Sequence, residues 1–398
     1  METSQTKNQR LGRNGKKKII VTDLNGKWEY KRQRMSKQNA SGKKVNIFPL
    51  DAFFGKRQRG RGYVSKNLEK KMVELATEQS YRQSERSGEN ILGRESIRRK
   101  TIEVGKKAAK LKQTKKSPEV LTEQKTKDAG GAKDTYKRSK GSRIRTVLGK
   151  MRNWLRIYVM IDGVGVQGQG EGWEGSKECK VCTILMQRGE KITAVATFCT
   201  WERLPGFKRF FEWTLLSAIG VVGLFAETVL ISDGAKWIRN LRKSTSCLGP
   251  RWILDWFHVK DRVESVFRVF LVEEIDGQTN NCAEEIIMLL WNGKVGRAVK
   301  CIQALPMSDD ITTREKQIAT RNATIKYLIN QREGIVNYKQ LQRKGYFVGS
   351  GFVEKRNDTL VKNRMVRQKR MRWSREGGEA MMQLLTARVN GRFAEAFI

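Results

Sequence analysis

The chain has 398 residues, enough for two or three domains, and a formal net charge of +39 from 80 Lys and Arg residues against 41 Asp and Glu. Such a charge favours a polyanionic partner: DNA, RNA or an anionic membrane surface. The membrane is the least favoured of the three, because the longest apolar run, residues 213–225, is too short to span a bilayer. No apolar signal region follows the first methionine, so export is not expected.

Residues 1–60 are rich in Lys, Arg, Gly, Asn and Gln and poor in periodic apolar residues. This composition predicts a basic and largely disordered arm. Two roles remain open for such an arm. It contacts nucleic-acid phosphates without reading the base sequence, or it only keeps the chain soluble.

The next segment, residues 61–105, has the outline of a DNA-binding region of the helix-turn-helix type. An apolar face from Leu68 to Ala76 predicts a first helix, Ser80 begins a second, and Gly93 precedes an arginine-rich third. The alternative is a group of helices that only pack together, since the middle segment lacks apolar residues. If the region binds DNA, the candidate contacts are Arg94, Arg98, Arg99 and Lys100.

A basic linker is predicted over residues 106–150, which are again rich in Lys, Thr, Ser and Gly, and globular composition begins at about residue 151. Apolar patterns then predict strands at 156–167, 177–187, 191–200, 227–233 and 251–255, with helices on either side of the fourth. Three meandering strands followed by parallel ones indicate an α/β fold with a mixed five-stranded sheet flanked by helices. The pattern is helical from there to the end of the chain.

Two of the predicted strands lead into an Asp-Gly pair. The run 157–161 precedes Asp162, and the run 228–232 precedes Asp233. Each pattern predicts a buried strand with a carboxylate at its end and a glycine that turns the chain. Two carboxylates at neighbouring strand ends suit a magnesium-dependent phosphoryl-transfer site, although Asp-Gly is also an ordinary turn signal.

The cysteines and the single histidine do not indicate a zinc protein. Cys179 and Cys182 are the only close pair, without a second pair or histidines nearby, so reduced structural cysteines are expected. His258 is the only histidine and follows Asp255 by three positions. It positions a phosphate, braces Asp255, or is simply a hydrogen-bonded and partly buried histidine.

Six stretches carry a resemblance to a known family, and they lie at 158–163, 232–238, 253–258, 349–354, 371–374 and 390–393. They resemble bacterial insertion-sequence transposases of the DDE class, closest to the Kra-type group and related to the Lre-type group. The resemblance covers roughly residues 48–398. It implies a ribonuclease-H-like catalytic domain formed by residues 151–258 and 346–398, with an all-α insertion at 259–345.

The resemblance also implies an activity and its residues. Asp162, Asp233 and Glu354 would bind two Mg²⁺ ions, with Mn²⁺ as a substitute, and His258 would assist. The implied reaction is strand cleavage and strand transfer at insertion-sequence ends. The implied partner is double-stranded DNA, both element ends and target, bound by a homodimer or higher oligomer in the cytoplasm at the nucleoid, with no membrane.

The helix predicted after Gly351 leaves further alternatives open. Asp358 lies four residues after Glu354, hence on the same predicted helical face, and is its rival as third carboxylate. The helix also has a basic face, either solvated or following the DNA backbone: Lys355, Arg356, Lys362, Arg364 and Arg367. Two other functions stay open, a non-catalytic nucleic-acid-binding protein that retains the fold and a related nuclease without strand transfer.

Overall fold

The structure is a computed structural model, and it describes residues 12–38, 43–47, 57–58, 62–89, 91–111, 114–120, 155–189, 191–219, 226–245, 251–270, 278–367 and 371–398. The described residues form two compact units, with the boundary between Val104 and Gly105. Among the described helices, none combines the length and the apolar content that crossing a membrane requires.

The first unit begins with a sheet of five strands: β1 (Gly12–Asp23), β2 (Gly26–Gln38), β3 (Lys44–Ile47), β4 (Arg57–Gln58) and β5 (Gly62–Val64). Their order is β3-β2-β1-β5-β4, and β1 and β2 form a long antiparallel hairpin. The prediction of a largely disordered arm over residues 1–60 is therefore wrong for these strands. Ile19 opposes Tyr30 and Val21 opposes Trp28, and such β-branched and aromatic pairs stabilise a hairpin within a lysine-rich sequence.

Three helices follow the first sheet: α1 (Lys66–Glu78), α2 (Tyr81–Ser87) and α3 (Arg94–Ala108). The hydroxyls of Ser65 and Ser80 accept hydrogen bonds from Leu68 N and Gln83 N and so cap the first two helices. A small core joins Val64, Leu68, Met72, Ala76, Leu92 and Ile97. The short helix α2 buries only Ser84, in keeping with its polar sequence.

The second unit is built on a six-stranded sheet: β6 (Thr114–Val120), β7 (Leu155–Gly168), β8 (Gly175–Arg188), β9 (Lys191–Thr200), β10 (Glu227–Ser232) and β11 (Arg251–Leu254). Strands β7, β8 and β9 form an antiparallel meander, β10 is parallel to β7, and β11 is parallel to β10. The predicted mixed sheet is confirmed, and its order is β11-β10-β7-β8-β9-β6.

Strand β6 lies at the edge of this sheet and pairs with β9. It falls inside residues 106–150, where a linker was predicted, so that prediction is wrong for this strand and for the end of α3. The sequence of β6, Thr-Lys-Lys-Ser-Pro-Glu-Val, has no apolar alternation. An edge strand needs none, because one of its sides is free of a neighbouring strand and tolerates charges and proline.

Helices pack around the second sheet: α4 (Leu204–Ile219), α5 (Lys236–Ser244), α6 (Trp256–Phe270), α7 (Gln278–Trp291), α8 (Val295–Gln303), α9 (Ile311–Asn330), α10 (Tyr338–Arg343), α11 (Gly351–Asn357) and α12 (Arg375–Val389). A π-helix (Asp358–Val366) continues α11, and a 3₁₀ helix (Phe393–Phe397) ends the chain. Helices α4 and α12 contact β9, and α11 contacts β7 and β8. Every described element between β11 and α11 is helical.

Candidate active site

Three aspartates lie side by side at one edge of the second sheet. The ladder between β7 and β10 pairs Ile161 with Ser232, and the ladder between β10 and β11 pairs Ser232 with Leu254. The next residue along each of the three chains is an aspartate: Asp162, Asp233 and Asp255. This is the carboxyl edge of three parallel strands, where open α/β sheets bind their ligands.

Asp162 does not end its strand: the strand predicted over 156–167 is present, and the turn predicted at Gly163 is not. Strand β7 continues to Gly168 and stays paired with β8 along that length. Val164 and Val166 are buried beyond Asp162 and keep the strand in place. The carboxylate of Asp162 therefore projects from within a rigid hairpin, level with the end of the shorter strand β10.

The turn predicted after Asp233 is present. Gly234 has a φ of +80°, a left-handed conformation that glycine adopts without strain. Asp233 Oδ1 accepts a hydrogen bond of 2.9 Å from the Ala235 amide, which fixes the carboxylate at the start of α5. Asp255 is fully buried and caps α6 in a similar way, since its Oδ1 accepts from the Phe257 amide at 3.1 Å.

Helix α11 brings Glu354 to the same edge. Ser350 Oγ, just before that helix, lies 2.6 Å from Asp255 Oδ2 and 3.0 Å from Glu354 Oε1, so its single proton can serve either carboxylate. His258 Nδ1 lies 2.6 Å from Asp255 Oδ2. Possible ligand atoms of Asp255, His258 and Glu354 all lie within 4.8 Å of one another.

The carboxylates of this cluster influence each other electrostatically. Burial raises the pKa of Asp162 to about 6, the Gly163 amide opposes that rise, and the charges of Asp233 and Glu354 add to it. The pKa of Glu354 is also raised, first by burial and then by the charge of Asp255. Asp233 and Glu354 are therefore close enough to affect the pKa of Asp162, and Asp255 is close enough to affect that of Glu354.

His258 carries the positive charge of the cluster. Its hydrogen bond with Asp255 raises the pKa of the imidazole to about 9, against the opposing effect of burial. The charges of Asp233 and Asp162 favour the protonated form as well. A protonated imidazole has two N–H donors, so His258 is a cation in the metal-free cluster.

Asn357 is a member of the site that the sequence did not reveal. Its Nδ2 donates a hydrogen bond to Asp162 Oδ2, while the Gly163 amide donates to Asp162 Oδ1 at 2.8 Å. The carboxylate is therefore held from both sides. The Asn357 side chain is buried, and its Oδ1 has no hydrogen-bond partner among the described residues. Asn357 lies three residues after Glu354 and therefore on the same helical face, and this spacing could have predicted that it belongs to the site.

The rival carboxylate, Asp358, does not join the cluster. It forms ion pairs with Lys362 at 3.4 Å and with Arg367 at 3.2 Å. The argument from a shared helical face fails because the α-helix ends at Asn357 and a π-helix begins at Asp358. The wider π-helical turn changes the direction in which each later side chain points.

The same change of helix type corrects one predicted DNA contact. Arg364 is only 1% exposed, and its guanidinium packs over the ring of Trp373 at 4.8 Å, so its prediction as a backbone contact is wrong. Lys355 is exposed, and Arg356 lies over the Phe352 ring at 5.5 Å. With Lys362 and Arg367, these side chains keep a basic surface beside Glu354.

The predicted contacts of the first unit lie along α3 and are mostly paired with acids. Arg98 makes hydrogen bonds of 2.9 and 2.8 Å to Glu95, and Arg99 lies 3.5 Å from the same carboxylate. Lys100 lies 2.8 Å from Glu69, and Arg94 is exposed. The pairs of Arg98 and Arg99 with Glu95 lie at the surface, where ion pairs are weak, so these two cations can exchange Glu95 for phosphates.

The donor set of the cluster fits a hard divalent cation. Mg²⁺ prefers carboxylate oxygens together with water and phosphate oxygens. Burial and the neighbouring carboxylates raise the pKa of Asp162 and of Glu354, and a bound cation would relieve this repulsion. Asp162, Asp233 and Glu354 would hold the ion, and Asp255, His258 and Glu354 form a second group of possible ligands that shares Glu354 with them.

Three features define the cluster: parallel strands in register, carboxylates at their ends, and one histidine bound to a carboxylate. No protein-family model matches this chain, and no curated protein shows significant sequence similarity to it.

Proposed function

We propose that the protein is a DDE transposase that cleaves DNA strands and joins them to a target with the help of bound Mg²⁺. The observation that carries this proposal is the strand register that sets Asp162 beside Asp233, with Glu354 delivered from α11. The strand order β11-β10-β7-β8-β9 is compatible with the ribonuclease-H-like fold that the resemblance implies. The net charge of +39 suits a DNA substrate.

Each residue of the cluster has a distinct task in this proposal. Asp162, Asp233 and Glu354 would hold the metal. Asn357 orients Asp162, and Ser350 orients Glu354. When bound there, Mg²⁺ would supply activation of the attacking oxygen and stabilisation of the leaving oxygen. His258 keeps its proton at neutral pH and attracts the scissile phosphate, while Asp255 fixes the imidazole ring.

The alternatives account for less of the structure. A non-catalytic DNA-binding protein would use the basic surfaces, but it gives no reason for a partly buried cluster of like charges that destabilises the fold without a metal. A nuclease without strand transfer would use the same cluster, so it differs only in whether cleaved ends are joined.

The test is a cleavage and joining assay with the full-length protein. The substrate is labelled duplex DNA that carries the sequences flanking the gene, with an unlabelled plasmid as target. We expect nicking in Mg²⁺ or Mn²⁺ and labelled plasmid as the joined product. Asp261→Asn, an exposed aspartate of α6, is the matched control for Asp162→Asn. Cleavage without joining would favour a nuclease without strand transfer. Binding without cleavage would favour a non-catalytic DNA-binding protein.

A further inference from the structure

A polar wall formed by α6 and α9 borders the carboxylate cluster. The two helices pack closely against each other. Directly after α9, Gln331 Nε2 donates a hydrogen bond of 2.8 Å to the carbonyl of Gly234, the residue that follows Asp233. Tyr327 lies one helical turn before Gln331, on the same face of α9. That face therefore lies next to the end of β10 and its aspartate.

Arg262 is the cation of this wall. It lies one turn after His258 on α6, so the two cations share a face of the helix. Its guanidinium packs over the ring of Tyr327, 5.6 Å from the ring centroid. Among the described residues Arg262 has no ion pair, unlike Arg268 of the same helix, which lies 4.0 Å from Glu264.

Tyr327 can hold Arg262 without neutralising it. Burial, and then the charges of Asp233 and Asp255, raise the pKa of the phenol, so its ring stays uncharged. An aromatic ring attracts a guanidinium through its face and leaves the N–H groups free to bind a ligand. A carboxylate in the same place would occupy those N–H groups and cancel the charge.

We infer that Arg262, held by the ring of Tyr327, binds a backbone phosphate of the DNA strand that enters the active site. A guanidinium matches the geometry of a phosphate through two parallel hydrogen bonds. A cation at this position offsets the repulsion between DNA phosphates and the nearby carboxylates of Asp233 and Asp255. The choice of DNA as the ligand rests on the proposed function; the phosphate chemistry rests on the arginine itself. Through Arg262, helix α6 thereby contributes a binding residue to the site.

The test compares Arg262→Ala with Arg268→Ala in the full-length protein, using a labelled random-sequence duplex without divalent metal. Arg262→Ala should weaken binding roughly tenfold, and the slope of log K against log salt should become less steep by about 0.9. Arg268→Ala should change the affinity less than about twofold. Tyr327→Phe should bind as the wild type does, whereas Tyr327→Leu should lose part of the affinity, and its effect should not add to that of Arg262→Ala.

Two further measurements keep the outcomes distinct. The affinity of Arg262→Ala for Mn²⁺ should be unchanged, because the carboxylates are intact. Equal binding by the Arg262 and Arg268 variants, in a protein that cleaves DNA, would overturn the phosphate site and leave the proposed reaction standing. If Arg262→Ala loses DNA binding in a protein that never cleaves DNA, the phosphate site stands and the proposed reaction is overturned.

Discussion

The two units of this protein differ in how firmly their charged side chains are held. In the first unit several described cations of α3 lie at the surface, as Arg99 does beside Glu95, and they can exchange partners at little cost. In the second unit Asp162 and Asp255 are held by fixed donors at the edge of a sheet. They cannot move without breaking those hydrogen bonds. Single substitutions should therefore have large effects in the second unit and small ones in the first.

The largest effect is expected from removing the carboxylates. Asp162→Asn, Asp233→Asn and Glu354→Gln should each reduce Mg²⁺-dependent cleavage to background, because an amide keeps the shape but not the charge that binds the ion. DNA binding, measured on the same labelled duplex, should be retained. His258→Ala should slow cleavage less than any of the three. Full activity of Asp162→Asn would rule out the assignment of metal ligands.

The next effect concerns the orientation of one ligand. Asn357→Leu should weaken Mn²⁺ binding roughly tenfold, measured by calorimetry, because Asp162 loses one of its two hydrogen-bond donors. Thermal stability should not fall, since leucine also removes a buried carbonyl that lacks a partner. Asn363→Leu, at an exposed position of the π-helix, is the control. Loss of stability with unchanged metal affinity would mean that Asn357 is only structural.

A smaller effect should appear in the stability of the metal-free protein. The pKa of Asp162 is about 6 in the fold against 3.8 for the free side chain, so protonation favours the folded state. Its contribution is fully present below about pH 4 and is lost as the pH rises through about 6. Asp162→Asn should therefore be more stable than the wild type at pH 8, by up to about 3 kcal/mol.

The thermal midpoints of Asp162→Asn and the wild type, compared at pH 8 and at pH 4, measure this difference. The amide can be accommodated, because the free Oδ1 of Asn357 can turn to accept its N–H. A gap between the two proteins that is the same at both pH values would show that the carboxyl group does not titrate in this range.

The smallest effects are expected on α3. Arg98→Ala alone should change DNA affinity less than about twofold, because an exposed cation contributes little. Replacing Arg94, Arg98, Arg99 and Lys100 together should make the salt dependence less steep by about 0.9 for each phosphate that the variant no longer neutralises. Anisotropy titrations at several salt concentrations measure this. An unchanged slope in the fourfold variant would remove α3 from the DNA interface.

Buried strands were predictable because their apolar runs are long and end abruptly. The five strands β7 to β11 lie within two residues of the predicted bounds at each end. The hairpin of β1 and β2 was missed because average composition hid its pattern. Trp28 and Tyr30 alternate with polar residues and oppose Val21 and Ile19, which is a strand pattern within a basic segment.

The candidate site was predictable only as far as strand ends and helix starts define it. Asp233 and Glu354 follow such signals, and Asp162 follows an apolar run although its strand continues. The bond from Asn357 to Asp162, by contrast, joins residues 195 positions apart. No local pattern encodes a contact of that range. Arg364 was misplaced because a sequence period cannot distinguish an α-helix from a π-helix, and the two point the same residue in different directions.

The register of β7, β10 and β11 determines where the chain can change in length. Ladder pairing, and not the connecting segments, sets the level of each aspartate, so insertions or deletions between the strands leave the three carboxylates aligned. One residue gained or lost inside β10 would instead turn every later side chain to the other face of the sheet, Asp233 included. The segments that connect these strands can therefore accept inserted residues, whereas β10 cannot change in length.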